Sequence, residues 1–446
     1  MNFLTDKIRP IYFKYLTAAF GSALISSIYG VVDAAMVGQY QGPTGTAALA
    51  IVAPIWNIIY SLGLLTGIGG SVLFSTMRGK AAGNETKSNE YFTAAVIGTA
   101  ILALLAWAAV LFFDRQLLTL FGAEETLLPL AQEYLFPIKF VVPSFLFTQM
   151  ISAFLRNDGV PALATKAVLF GGIFNVFGDY FFVFTLDMGI MGAGIATAMG
   201  SMFSLILMLT HFFRRKNTLH LIKPTGLPQK LKAIGATGFS TFFIDVAMGI
   251  LTVVFNRQIL KYLGTDALSV YGIIINISTF VQCCAYSIGQ AAQPIISVNF
   301  GAGKMQRIGE VLKYALGATV VFGVVWTLAA ELIPNGFVRI FMTPTPRILS
   351  IAPGIIRRYG ISFLLLPFNI FSTYYFQAMI KPATAFVVSV GRGAVISGML
   401  IFLLPVLAGA NSIWFAMPIT ELVVATFVAT RMRRYQKQPI KNGIQA

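Results

Sequence analysis

The segment Tyr12-Phe-Lys-Tyr-Leu-Thr-Ala-Ala-Phe-Gly-Ser-Ala-Leu-Ile-Ser-Ser-Ile-Tyr-Gly-Val-Val-Asp33-Ala-Ala-Met36 decides the fold class. After Lys14 it carries a single charge, Asp33, and it exceeds the ~20 residues an α-helix needs to cross ~30 Å of hydrocarbon. Comparable stretches follow near 47–73, 91–113, 130–152, 161–184, 190–213, 233–260, 268–295, 311–333, 354–380, 383–407 and 410–430. With so many spans after it, the first reads as a membrane helix and not as a cleaved signal peptide. Composition agrees. Hydrophobic residues make up 57% of the 446 and charged residues 11%, and the mean hydropathy is +0.78, where a soluble domain carries about 25% charge. Backbone polar groups in lipid must be satisfied within the protein, so an all-α integral membrane protein with twelve transmembrane helices is predicted.

The formal net charge of +16 raises nucleic acid as a partner, so its distribution matters. The termini and even-numbered connections hold about three times as many Lys and Arg as the odd-numbered connections, which places both termini in the cytoplasm. Lys139, Lys166 and Arg392 fall inside spans. The basic excess is thus a topology signal, and the expected setting is a multi-pass protein of the cell membrane with the bilayer, not nucleic acid, as its partner. Cys283 and Cys284 are adjacent in an apolar run, too few for a zinc site and wrongly placed for a disulfide, so they read as small core residues.

The chain is a doubled unit. A shift of 219 residues brings Gly30 onto Gly249, Gln39 onto Gln258, Gly45 onto Gly264, Thr46 onto Thr265, Asn57 onto Asn276 and Gly70 onto Gly289. The glycine-rich end Arg78-Gly-Lys-Ala-Ala-Gly83 is echoed by Gly301-Ala-Gly-Lys-Met-Gln-Arg307. Six spans per copy is an even number, so two parallel six-helix bundles related by an axis along the membrane normal are expected. They would occupy residues 1–213 and 233–446, joined by a polar cytoplasmic linker at 214–232. Two bundles around a cleft suit alternating access, and a monomer is expected.

A carboxylate at the centre of a span costs about 2.5–3.5 kcal/mol on insertion scales and usually faces a cavity or a partner. Asp33, Asp179, Asp245 and Glu421 are such residues. Asn175 lies one turn before Asp179 on the same helix face, and Thr197 follows across a short turn. Two carboxylates, an amide oxygen and a hydroxyl form a hard-oxygen set suited to a small cation such as Na⁺ or to a shared proton. The alternative is plain interhelical hydrogen bonding. For Asp245 a functional role, as a second coupling site, and a structural role are equally open, whereas Glu421 is expected to pair with a basic group such as Arg392. Lys139, between Pro137 and Pro143, either snorkels or neutralises an aspartate. Gln149, Asn57, Asn276 and Gln282, amides inside spans, together with the adaptable Met36, are the substrate-binding candidates.

Asp33-Ala-Ala-Met-Val-Gly38 followed by Ala47-Ala-Leu-Ala50 resembles the first-helix signature of the MATE (multidrug and toxic compound extrusion) exporters. Leu155-Arg-Asn-Asp-Gly-Val-Pro161, Gly192-Ala-Gly-Ile-Ala-Thr197 and Gln293-Pro-Ile-Ile-Ser-Val-Asn299-Phe-Gly-Ala-Gly-Lys304 extend the resemblance over nearly the whole chain. It implies a V-shaped pair of six-helix bundles that exports amphipathic, often cationic compounds against inward H⁺ or Na⁺, with no resident cofactor. In DinF-like members the cation site has residues matching Asp33, Asn175, Asp179 and Thr197. NorM-like members stress a helix-7 carboxylate, whose place Asp245 takes, while their further acid near helix 11 is replaced here by Lys381-Pro382. The early helix-1 proline of many relatives is Ala18.

Two rival classes carry less of the sequence. A flippase or exporter of lipid-linked oligosaccharide, or of another endogenous metabolite, would carry more in-span Lys and Arg to hold pyrophosphate. An enzyme would need a motif, and HExxH, GxSxG and the P-loop are all missing from the sequence.

Overall fold

The computed structural model describes residues 2–80, 85–341 and 345–437, with the backbone alone at residues 43 and 437. Ala81, Ala82 and Gly83 of the first glycine-rich end, and Lys441 of the basic tail, lie outside the described residues. Among the described residues the chain is helical, with no strand.

Eleven helices are long and apolar enough to cross a membrane, and a bent pair makes up to twelve. In chain order they are α1 (Ile8–Gly42), α2 (Thr44–Lys80), α3 (Glu85–Leu120), α4 (Leu128–Lys139 with Val142–Asn157), α5 (Pro161–Thr185), α6 (Gly189–Phe213), α7 (Leu227–Leu263), α8 (Thr265–Gly301), α9 (Met305–Leu332), α10 (Pro346–Ala378), α11 (Pro382–Ala408) and α12 (Ala410–Gln436). Each span expected from the sequence coincides with one of them, and only the ends of the ninth and tenth, at 333 and 380, run slightly past their helices. Prolines open α5, α10 and α11, where a missing N–H costs nothing.

The tight turns between paired helices explain the doubling. Gly42, with φ 65° and ψ −152°, separates α1 from α2, and Gly264, with φ 81° and ψ −173°, separates α7 from α8. Side chains rarely adopt such φ values, and glycine does so freely. The two breaks are 222 residues apart, so at this turn the repeat register is three residues longer than the 219-residue shift. A slip of slightly less than one helical turn keeps the same face aligned, which is why the shorter shift still collects matches.

α4 bends by 59° between its halves, with Pro137 before the bend and Pro143 just after it; each removes a helix donor. Lys139, at the end of the first half, neutralises an aspartate, as one of its two expected readings had it. Its Nζ lies 2.6 Å from Asp114 Oδ2 on α3, and Gln132 donates to the same oxygen at 3.0 Å.

The chain forms two compact units, one of residues 17–246 and the other of residues 1–16 with 247–446. The 17–246 unit has a core around Val37, Val52, Ile55, Leu135, Leu146 and Val183. Within it α2 and α7 come very close: a Cβ at Gly238 would lie 1.9 Å from the Leu65 carbonyl oxygen. Gly238→Val should therefore force the helices apart and lower stability by about 1–3 kcal/mol, the usual range for overpacking. Thermal unfolding of the purified protein checks this, and an unchanged midpoint would contradict it.

The connection after α6 is tied to this unit. Asp158, from the Arg-Asn-Asp-Gly motif, accepts from Arg78 at 3.0 Å, faces His211 Nε2 at 2.6 Å and takes the Thr218 hydroxyl. The backbone N–H groups of His220 and Ile222 donate to Asn89 and Thr93 of α3, and Lys230 pairs with Glu90 at 2.7 Å.

The other unit has a core that includes Ile8, Tyr12, Ile288, Ile295, Phe371, Tyr375 and Val428. The second sequence motif holds the amino-terminal segment: Asn299 donates to Phe3 O at 3.1 Å, and Arg307 donates to Phe3 O and Asp6 O at 2.9 and 2.6 Å. Cys283 and Cys284 on α8 are buried and form no disulfide. Glu421 on α12 pairs with Arg392 on α11, as expected, at 2.7 Å, and Asn369 on α10 donates to its other oxygen at 2.6 Å. Both charged side chains are almost wholly buried. Removing one partner of a buried pair costs about 3–5 kcal/mol, so Arg392→Met should destabilise the protein by that order, while Arg392→Met with Glu421→Gln should recover most of the loss. A single variant that melts with the wild type would show that the pair contributes nothing.

Candidate functional site

Two buried acids of the 17–246 unit, Asp33 and Asp179, lie inside membrane-spanning helices. α1 brings Asp33, the carboxy-terminal part of α5 brings Asn175 and Asp179 on one face, and α6 brings Thr197. Asn175 Nδ2 donates to Thr197 Oγ1 at 3.2 Å, which ties α5 to α6 beside the carboxylates. A Cβ at Gly172 of α5 would lie 3.0 Å from Tyr29 Cδ1 of α1, so helices far apart in the chain pack together here. Directly after Asp179 the α5 backbone passes into a π-helical turn over Tyr180–Thr185, an irregularity often found at functional positions.

One member escaped the sequence reading. Tyr134, on the first half of α4, donates its hydroxyl to Asp33 Oδ2 at 3.1 Å. Its helix can come this close because α6 has a glycine opposite: a Cβ at Gly194 would lie 2.3 Å from the Tyr134 carbonyl oxygen. The available signal was a phenol inside an apolar span, which needs a hydrogen-bond partner when buried.

What the cluster leaves unsatisfied matters most. Asp33 is 9% exposed, Asn175 3% and Asp179 0%. Asp33 Oδ1, Asn175 Oδ1 and both carboxylate oxygens of Asp179 are buried without a protein hydrogen-bond partner. Buried polar groups are normally satisfied, and an unpaired buried carboxylate is among the costliest exceptions. All four atoms are acceptors, so they call for a proton or a cation and not for an anion. Oxygen donors of this type suit a hard ion such as Na⁺. Among the described residues no group of three or more His, Cys, Asp or Glu could hold a metal ion, so a transition-metal centre does not fit this donor set.

Asp245 is half-buried on α7. Asn57 is exposed on α2 and Gln149 half-buried on α4. In the other unit, Asn276 is exposed on α8, where it bonds back to Gly272 O at 3.2 Å, and Gln282 is half-buried. Met36, one turn beyond Asp33, lines a cavity of about 590 Å³ with Ile25, Tyr29, Gly172, Val176 and Tyr180. An apolar recess thus adjoins the acidic cluster on α1 and α5.

The sequence matches the MatE family model twice, over residues 18–181 and 239–403. It is 25% identical over 404 residues to the multidrug export protein MepA of Staphylococcus aureus (strain MSSA476), covering 90% of this chain and 88% of that one. In fold it is similar to a MOP superfamily transporter from Pyrococcus furiosus, with a TM-score of 0.91 at 17% identity over 99% of this chain and 98% of the other. It is similar as well to the MATE multidrug transporter DinF-BH, with a TM-score of 0.87 at 24% identity over 96% of each chain.

Proposed function

The chain belongs to the MatE family and is a membrane transporter, not an enzyme; on that premise we propose that it is an H⁺- or Na⁺-coupled antiporter that exports amphipathic, often cationic compounds across the cell membrane by alternating access. Both termini are then cytoplasmic and the protein acts as a monomer. The coupling ion binds at Asp33, Asn175, Asp179 and Thr197, and the recess lined by Met36 receives part of the substrate.

The observation that carries this reading is the set of four buried acceptor oxygens with no protein donor. Two carboxylates within electrostatic reach in a medium of low dielectric repel strongly, and one proton or one Na⁺ relieves that repulsion. Occupancy of the cluster then alters how α1, α5 and α6 pack, since Asp33 sits on the first and its partners on the other two. A substrate that binds better to the opposite state makes the two binding events antagonistic, and the coupling is reciprocal. The driving force suffices: a tenfold substrate gradient costs ~1.4 kcal/mol, and one charge moving through 100 mV releases ~2.3 kcal/mol. One-for-one exchange of monovalent cations would be electrically silent and draw on the chemical gradient alone.

The flippase alternative loses ground on the in-span cations. Two of the three in-span cations, Lys139 and Arg392, are neutralised by Asp114 and Glu421, which leaves neither available to hold a pyrophosphate. The test is efflux of a fluorescent lipophilic cation from proteoliposomes under separately imposed pH and Na⁺ gradients. Export driven by one gradient is the expected result, and export indifferent to both would reject the proposal.

A further inference from the structure

Outside the acidic cluster, the 17–246 unit holds a second cavity, of about 460 Å³, where the connection after α6 folds back. Phe92 and Val96 of α3, Phe147 and Met150 of α4, and Leu209 and Phe212 of α6 form its wall. Asn217, Leu219, His220 and Leu221 of the connection close one side. The wall is apolar, so it suits a hydrocarbon chain and nothing charged.

The mouth has the opposite character. Phe212 and Asn217 both line the cavity, and the four residues between them, Phe213, Arg214, Arg215 and Lys216, are all exposed. Lys223, two residues beyond Leu221, is exposed too. Phe213 is 91% exposed and Leu221 67%. None of these four basic residues forms an ion pair among the described residues, and the nearby acids Asp158 and Glu90 are already engaged by Arg78, His211 and Lys230. The cavity therefore opens beside a concentrated, uncompensated positive charge at the end of a membrane helix.

We infer that this cavity is a binding site for one anionic phospholipid, with an acyl chain between α3, α4 and α6 and the phosphate on Arg214, Arg215 and Lys216. Lipid tails are as apolar as the wall, so the chain gains little by leaving the bilayer. Selectivity resides in the head group. Each Lys or Arg near an anionic surface changes binding roughly fivefold, and three together set a preference on the order of 100-fold before salt screening reduces it. Bound there, the lipid bridges three helices and the strap that joins α6 to α7. The site does not depend on the acidic cluster and would stand if the coupling ion were identified differently.

Native mass spectrometry of the purified full-length protein, titrated with dioleoyl phosphatidylglycerol or dioleoyl phosphatidylcholine, tests the assignment. The wild type should retain one phosphatidylglycerol at least tenfold more tightly than phosphatidylcholine. R214Q/R215Q/K216Q should lose that preference, R214K/R215K should keep it, and V96W, which fills the wall, should retain neither lipid at this site. Equal retention of both lipids by the wild type, an unchanged preference in the triple variant, or full displacement by inorganic phosphate at equal concentration would each overturn the site. Gel filtration of every variant separates loss of binding from loss of fold.

Discussion

Asp33→Asn should abolish gradient-driven export while leaving the protein folded in the membrane. The substitution preserves size, and its amide oxygen still accepts from Tyr134, whose hydroxyl donates to Asp33 in the wild type. What disappears is the charge. Without it the cluster holds one carboxylate, the repulsion that a cation relieves is gone, and occupancy no longer distinguishes the two access states. Coupling free energies are typically 1–3 kcal/mol, so the loss corresponds to a fall in uphill transport of about 5- to 150-fold. Substrate binding at equilibrium, measured without a gradient, should change far less. Wild-type accumulation ratios in proteoliposomes carrying this variant would remove Asp33 from the coupling step.

Asp179→Asn should do two opposite things. Both oxygens of Asp179 are fully buried without a protein partner, so an ionised side chain there opposes folding whenever no cation is bound. Neutralising it should raise the thermal midpoint in Na⁺-free buffer at alkaline pH, where neither ion occupies the cluster, by an amount equivalent to about 1–3 kcal/mol, and at the same time eliminate cation-dependent efflux. A residue that merely glued helices together would show the reverse, a loss of stability with transport retained. The opposed pair of readouts is typical of a position held in an unfavourable state for function. The double variant with Asp33→Asn should transport no worse than either single one, the result expected of two carboxylates that act as a unit. Cation-dependent efflux that survives in Asp179→Asn would contradict its assignment.

These two carboxylates were legible in the chain because ionisable groups inside apolar spans are rare and costly. Asn175 and Thr197 were legible for a narrower reason: helical spacing puts Asn175 on the face of Asp179, and a short turn returns α6 beside α5. Tyr134 was not, because a tyrosine in a membrane span is ordinary and only its partner makes it part of a site. Lys139 shows the same limit. Its sequence context left snorkelling and neutralisation open, and the bend of α4 settled the matter by bringing it to Asp114. The repeat was readable, but its register was not. Apolar matches tolerate a slip of nearly one turn, whereas the positive φ at Gly42 and Gly264 does not.

Residue order alone suffices for the membrane as solvent, the number and approximate limits of the helices, the doubling and the rare polar groups within them. Each of these follows from local composition and period, since crossing hydrocarbon is a demand placed on one segment at a time. Which polar groups meet is a property of the packed helices: Asp33 with Tyr134, Asn175 with Thr197, and Arg392 with Glu421. Those meetings depend on how closely helix backbones approach and where they bend, and small residues and prolines permit such geometries without specifying a partner.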